Sequence, residues 1–255
     1  MLSMHNIVVR HDGRTVLDVP KLEIEPGAFT AILGHNGSGK STLMNLIARQ
    51  MKPTSGSLTL GAQPLNSYSE REFAQRVGFI PQRLPDTSGL TVRELVRLGR
   101  FPWRGLLGRW REEDLSAVEQ AMRETDIQQL SEHFADNLSG GERQRAWLAM
   151  LLAQASPLIL LDEPTSALDL SHAYGLMTLL RSLNQTMGRG VVAILHDINL
   201  TTRFADRIIA LKRGRVFFDG TPEELLSCQL LTALYDIDIQ LVAQPGATRR
   251  IAVVA

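Results

Sequence analysis

The sequence predicts an α/β domain, and three observations carry that prediction. Short apolar or β-branched runs recur along the 255 residues with helix-length segments between them. One such run empties into a glycine-rich phosphate-binding pattern, which needs a strand before it and a helix after it. From about residue 83 to 154 the chain shows helical spacing and charge pairs with no good strand signal, as a helical insertion in a sheet-based domain would.

In order, the strand-like runs are Ile7–Val9, Phe29–Leu33, Val77–Ile80, Leu158–Leu161, Val191–Leu195, Ile208–Leu211 and Val216–Phe218. A helix is expected to start at Thr221-Pro222-Glu223-Glu224, where a capping hydroxyl, a first-turn proline and a capping-box glutamate follow one another. The tail after Gln240 reads as a small strand appendage, and no tandem repeat or low-complexity linker is present.

Lys+Arg and Asp+Glu both number 27, so no basic excess exists to hold a nucleic-acid backbone. The single cysteine, Cys228, cannot form an internal disulfide, and the start MLSMHNIVVRHDGR lacks the apolar stretch of a signal peptide. A cytoplasmic location is expected. The longest uncharged apolar run, Ala146–Ala153, falls far short of the roughly 18 to 20 residues a bilayer-crossing helix needs. Any pore this chain serves must therefore belong to another polypeptide.

The strongest local pattern is Gly34-His35-Asn36-Gly37-Ser38-Gly39-Lys40-Ser41, entered by the apolar run Phe29–Leu33 and left by the helical pattern Thr42–Arg49. Amides of a glycine loop and a helix N-terminus then point at one anion. Gly37 and Gly39 let the backbone wrap phosphate, Lys40 reaches the β- and γ-phosphates, and the Ser41 hydroxyl suits Mg²⁺. Leu158–Leu161 runs into Asp162 and Glu163. Two carboxylates at the end of a buried strand suit a magnesium ligand (Asp162) and the base that polarises an attacking water (Glu163); the alternative is a pair of solvated loop acids. Val191–Leu195 ends in His196-Asp197. Alone, His196 would be an ordinary structural histidine, but in a parallel sheet it shares the carboxyl edge with the phosphate loop and the acid pair, where ligands bind.

A fourth pattern, Leu138-Ser139-Gly140-Gly141-Glu142-Arg143-Gln144, gives Ser139 and Glu142 capping-box spacing before an apolar helical run. Gly140 and Gly141 leave its amides uncovered, so it reads either as a plain structural cap or as a second anion-ready helix start.

LSGGERQ resembles the signature sequence of ATP-binding-cassette (ABC) ATPases, and other marks of that family follow in its order from about residue 4 to 220. Gln82 resembles the Q-loop, implying contact with Mg²⁺ and the membrane partner and a place among the catalytic residues with Glu163 and His196. Ser166-Ala167-Leu168-Asp169 resembles the D-loop, and His196 the switch histidine that meets the γ-phosphate. The resemblance implies the phosphate-loop ABC ATPase fold as one domain, 1–255: a mostly parallel core sheet, an antiparallel β-subdomain, a helical subdomain at about 83–154 and a C-terminal helix with strands at 221–255. It also implies ATP and Mg²⁺ as ligands. Two copies would face head to tail, with Ser139, Gly140 and Gly141 closing on the ATP held by the partner's Gly34–Thr42 segment, and with Asp169 beside it. The usual adenine-stacking aromatic falls at His11, so His11 or Arg10 would serve as a weaker substitute.

Gln63-Pro64-Leu65, Ala74–Val77, Leu90–Val96 and Gly99-Arg100-Phe101-Pro102-Trp103-Arg104-Gly105 resemble ATPases of bacterial importers for iron–siderophore complexes, haem and cobalamin, most nearly those for ferric hydroxamates. The implied partners are a second ATPase subunit, a polytopic permease and, indirectly, a secreted substrate-binding protein, with the chain peripheral on the cytoplasmic face of the inner membrane. The alternatives are a haem or cobalamin importer ATPase, or a non-transport ABC ATPase such as a metallocluster-assembly subunit. Phe101, Trp103 and Trp110 either anchor their glycine- and proline-broken loop on the helical subdomain or help line a groove for the permease.

Overall fold

The computed structural model describes residues 1–87, 89–105, 108–166, 168–243 and 250–255. The chain forms two compact units, one from Met1–Asn66 with Val191–Ala255 and the other from Ser67–Gly190. In chain order the first unit opens with β1 (Leu2–His11), β2 (Arg14–Ile24), β3 (Phe29–Leu33), α1 (Lys40–Ile47), β4 (Ser55–Leu60) and β5 (Gln63–Pro64). The second carries α2 (Glu70–Arg76), β6 (Val77–Ile80), α3 (Val92–Leu98), α4 (Phe101–Arg104), α5 (Glu112–Glu124), α6 (Gly140–Gln154), β7 (Leu158–Leu161) and α7 (Leu170–Met187). The first unit resumes with β8 (Gly190–Ile194), α8 (Ile198–Phe204), β9 (Arg207–Lys212), β10 (Arg215–Gly220), α9 (Pro222–Leu225), α10 (Cys228–Tyr235), β11 (Ile239–Ala243) and β12 (Arg250–Val254).

Two sheets organise the first unit. β1 and β2 form a hairpin whose turn residues Asp12 and Gly13 both have positive φ, 48° and 76°, the conformation that matches the twist of paired strands. β4 pairs antiparallel with the other side of β1. In the other sheet β3 lies parallel between β8 and β9, and β10 pairs antiparallel with β9. Every residue of β3 and β8 is buried, which is why both read as unbroken apolar runs rather than as alternating strands.

The strands β2 and β4 gave no apolar run in the sequence. In β2 the buried residues Leu17, Val19, Leu22 and Ile24 are interrupted by the exposed pair Pro20-Lys21, tolerated because β2 is the edge of its sheet. β4, Ser55-Gly56-Ser57-Leu58-Thr59-Leu60, owes its strand to pairing rather than to propensity.

In the second unit β6 and β7 pair in parallel from Val77↔Leu158 to Ile80↔Leu161. Between residues 83 and 154 the described residues hold helices and one isolated bridge, Thr91↔Phe134. The compact unit reaches further, taking in α2, β6, β7 and α7. Arg100 welds the broken segment to this unit. Its guanidinium donates to Asp114 Oδ1 at 2.9 Å and to the Ala153 carbonyl at 2.9 Å, with both charged side chains buried. The Trp103 indole donates to the Gln154 carbonyl at 2.6 Å, Arg71 donates to the Pro102 and Trp103 carbonyls, and Arg104 lies 3.8 Å over Trp110. Trp103 and Trp110 are thus tied into this unit, while Phe101 and Trp103 both keep exposed surface, at 50% and 40%.

The helix starting at Thr221 is present with its full capping box but stops after Leu225, and α10 resumes at Cys228. The tail closes as the β11–β12 hairpin. Among the described residues no helix is long and apolar enough to cross a membrane.

Candidate functional site

In the first unit, the loop from Gly34 to Gly39 leaves the carboxyl end of β3 and delivers Lys40 as the first residue of α1. Gly34, Gly37 and Gly39 have φ of 140°, 76° and 102°, which side chains other than glycine rarely adopt. A Cβ on Gly34 would stand 2.2 Å from the Leu211 carbonyl oxygen, so both space and dihedral demand glycine there. The cap residue Gly39 offers no side-chain acceptor to the first turn of α1. Lys40 is buried at 5% exposure, and its ammonium donates to the carbonyls of Gly34 (2.8 Å) and His35 (2.9 Å). The Ser38 hydroxyl is buried with no hydrogen-bond partner among the described residues. Asn36 is exposed, Ser41 and Thr42 continue the first turn of α1, and the Gly214 amide donates to the Ser38 carbonyl at 3.0 Å. A glycine-rich helix start without a side-chain cap, a buried ammonium and an orphaned hydroxyl around one loop fit a polyphosphate.

His196 leaves the neighbouring parallel strand β8 at the same edge, exposed, immediately before Asp197, whose side chain caps α8 by accepting the Leu200 amide at 2.9 Å. His11 sits at the tip of the β1–β2 hairpin with its side chain 81% exposed and Nε2 3.5 Å from Asp12.

The second unit repeats the device. β6 leads to Gln82 and the adjacent parallel β7 to Asp162 and Glu163, so all three leave one strand edge. Asp162 is buried, and its amide donates to the Ile80 carbonyl at 3.0 Å. Glu163 stands at φ 53°, in the left-handed region, and its carboxylate accepts the Gln82 side-chain amide at 2.7 Å. The turn behind it is closed by Ser166, whose amide (3.2 Å) and hydroxyl (3.0 Å) both donate to the Glu163 carbonyl. Gln144 on α6 donates to the Pro164 carbonyl at 3.2 Å. That residue, seen in the sequence only as part of LSGGERQ, ties the signature helix to the turn carrying the acid; no local spacing announces a bond twenty positions away.

Ser139 opens α6 with a complete capping box. Its hydroxyl accepts the Glu142 amide at 3.4 Å, while Glu142 Oε2 accepts the Ser139 amide (2.9 Å) and hydroxyl (2.7 Å). Those bonds hold the Glu142 carboxyl below its usual range. Among the described residues nothing lies within 4 Å of where a Cβ on Gly140 would be, and a Cβ on Gly141 would meet only the His172 ring, at 3.6 Å. Asp169 caps α7 with both oxygens, accepting the His172 amide at 2.9 Å and meeting His172 Nδ1 at 2.8 Å, and these bonds lower its pKa. Ala167, in the same loop, lies outside the described residues.

Residues 17–166 match the family model described as ABC transporter. The chain is 42% identical over 233 residues to the ferric enterobactin transport ATP-binding protein FepC of Escherichia coli, covering 91% of this chain and 86% of that one. It is 36% identical over 248 residues to the iron(3+)-hydroxamate import ATP-binding protein FhuC of Bacillus subtilis, covering 97% and 92%. Among solved structures it resembles the ATP-binding cassette MJ0796, a dimer in a post-hydrolysis state bound to ADP and Pi, with TM-score 0.78 and 32% identity over 87% of this chain and 99% of that one.

Proposed function

The chain belongs to the ABC transporter family and is the ATP-hydrolysing subunit of an importer, and on that premise we propose how its residues divide the work. Gly34 to Gly39 wrap the triphosphate with backbone amides, Lys40 transfers its ammonium from the Gly34 and His35 carbonyls to the β- and γ-phosphates, and Thr42 adds a first-turn contact. The buried ammonium waiting on two loop carbonyls is the observation that carries this reading.

Ser41, Asp162 and Gln82 offer hydroxyl, carboxylate and amide oxygens, the hard donor set a magnesium ion takes. Bound there, Mg²⁺ would neutralise charge on the β- and γ-phosphate oxygens. Glu163 is the base that orients and deprotonates the attacking water. Gln82 donates to its carboxylate at 2.7 Å, so release of that bond would ready the base. His196 donates toward the γ-phosphate from the edge it shares with the loop. His11, exposed at the hairpin tip, stacks on adenine, an interaction weaker than a tyrosine or tryptophan would give.

A second copy completes the site: Ser139, Gly140 and Gly141 of one protomer close on the nucleotide held by the other, with Asp169 alongside. The dimeric state of the MJ0796 cassette supports this arrangement. The assembled pair is peripheral on the cytoplasmic face of the inner membrane and drives a polytopic permease, fed by a secreted binding protein. The cargo is a ferric siderophore. Both an enterobactin and a hydroxamate relative support an iron chelate, the former with 42% identity and the latter with 36%, and the motifs at residues 63–65, 74–77, 90–96 and 99–105 favour the hydroxamate class.

Glu163→Gln should retain ATP binding and lose roughly two to four orders of magnitude in turnover, measured by phosphate release at saturating Mg-ATP. Near-native turnover would remove Glu163 from this role.

A further inference from the structure

The phosphate loop is touched by a residue far outside the stretch 17–166 that the family model matches. Tyr235 ends α10, and its ring meets the His35 ring edge to face, with centroids 5.2 Å apart and planes inclined by 66°. His35 is the second residue of the loop, and its carbonyl is one of the two that hold the Lys40 ammonium.

Both rings bury their polar ends, and neither His35 Nε2 nor the Tyr235 hydroxyl has a hydrogen-bond partner among the described residues. A buried tyrosine kept for its hydroxyl would have found one; here the ring itself makes the contact, in the geometry that aromatic edges and faces prefer. Burial, with Asp197 nearby, pushes the phenol up to about 12, so it stays neutral over any physiological range.

α10 is firmly seated at this end. Leu231 and Leu234 are fully buried, and the Lys212 ammonium donates to the Ala233 carbonyl and, at 2.7 Å, to Asp236. Two residues beyond Lys212, the Gly214 amide grips the Ser38 carbonyl. The C-terminal part of the chain thus holds the loop at two places, His35 and Ser38.

We propose that Tyr235 is a positioning residue of the nucleotide site: its edge contact fixes the His35 ring, and through it the carbonyl on which Lys40 rests. The C-terminal helix then sets how readily the loop accepts a triphosphate. This rests on the reading of Gly34–Lys40 as the ATP cradle.

The test is titration of the full chain with ATP in the absence of Mg²⁺, alongside steady-state hydrolysis with it. Tyr235→Leu, which removes the ring, should weaken ATP binding roughly 3- to 10-fold, the span an aromatic pair can supply. Its kcat at saturating ATP should stay within about 2-fold of native, since no reacting atom is touched. Tyr235→Phe should restore native affinity, because the hydroxyl has no partner to lose. His35→Ala should weaken binding similarly, and the double variant His35→Ala/Tyr235→Leu should be no weaker than the worse single one. Phe as poor as Leu, a fall in kcat with unchanged affinity, or losses that multiply in the double variant would each overturn the proposal. If Tyr235→Leu does not fold, Tyr235→Met is a second ring-free variant; failure of both makes Tyr235 a stability residue and also overturns it. Failure of the native chain to bind ATP would instead sink the cradle itself.

Discussion

Two helices of this chain begin on glycine-rich segments suited to an anion, and they begin in opposite ways. α1 starts at Lys40 behind a left-handed Gly39 that has no side chain to cap it, with a buried ammonium in its first turn. α6 starts behind Ser139, which is already engaged with Glu142, a carboxylate in the first turn. The first start is short of an anion and carries its own cation. The second is satisfied within itself and presents negative charge close by. Two glycine-rich helix starts therefore need not make equal anion sites: on the proposed reading affinity belongs to the Lys40 start, and the Ser139 start adds to a nucleotide already held.

The largest effect that would sharpen this contrast is on Lys40. Replacing it by alanine removes a charge-assisted contact to phosphate and should weaken ATP binding roughly 10- to 100-fold, read by equilibrium titration. Unchanged affinity would erase the distinction between the two starts.

Next come the glycines. Gly34→Ala drives a Cβ into the Leu211 carbonyl at 2.2 Å and should cost about 1–3 kcal/mol of unfolding free energy. Gly140→Ala meets nothing within 4 Å and should stay within about 0.5 kcal/mol of native, while lowering turnover of the assembled complex by screening the helix start. Equal destabilisation in denaturant melts would break the comparison.

Ser139→Ala should cost about 1 kcal/mol through the lost cap. The smallest effect is on pH. The folded-state pKa of Glu142 is lowered, so its contribution is present above the ordinary glutamate value of 4.5 and lost as pH falls through the folded value. Glu142→Gln should lower the melting temperature slightly on the neutral plateau and flatten the acid limb, so that the two chains converge as pH falls below about 4.5.

Much of this contrast was legible in the sequence, because each start is a contiguous pattern whose spacing states its geometry. The Phe29–Leu33 and Val77–Ile80 runs matched strands β3 and β6 to the residue, since burial on both faces leaves an unambiguous apolar signature. β2 and β4 were not legible: an edge strand with Pro20 and a serine-rich strand are made by the neighbours they pair with. The bonds that tune the site were equally hidden. Gln144 to Pro164 and Tyr235 to His35 join residues 20 and 200 positions apart, and only the folded chain brings them together.

The left-handed backbone at Glu163 has a consequence for how the protein can fail. Holding a β-carbon-bearing residue at φ 53° costs of order 1 kcal/mol, a strain that a glycine in its place would not feel. Glu163→Gly relieves that strain while giving up the 2.7 Å bond from Gln82, so its melting temperature should stay close to native. On the role proposed for Glu163, selection for robustness alone would then do nothing to keep the acid.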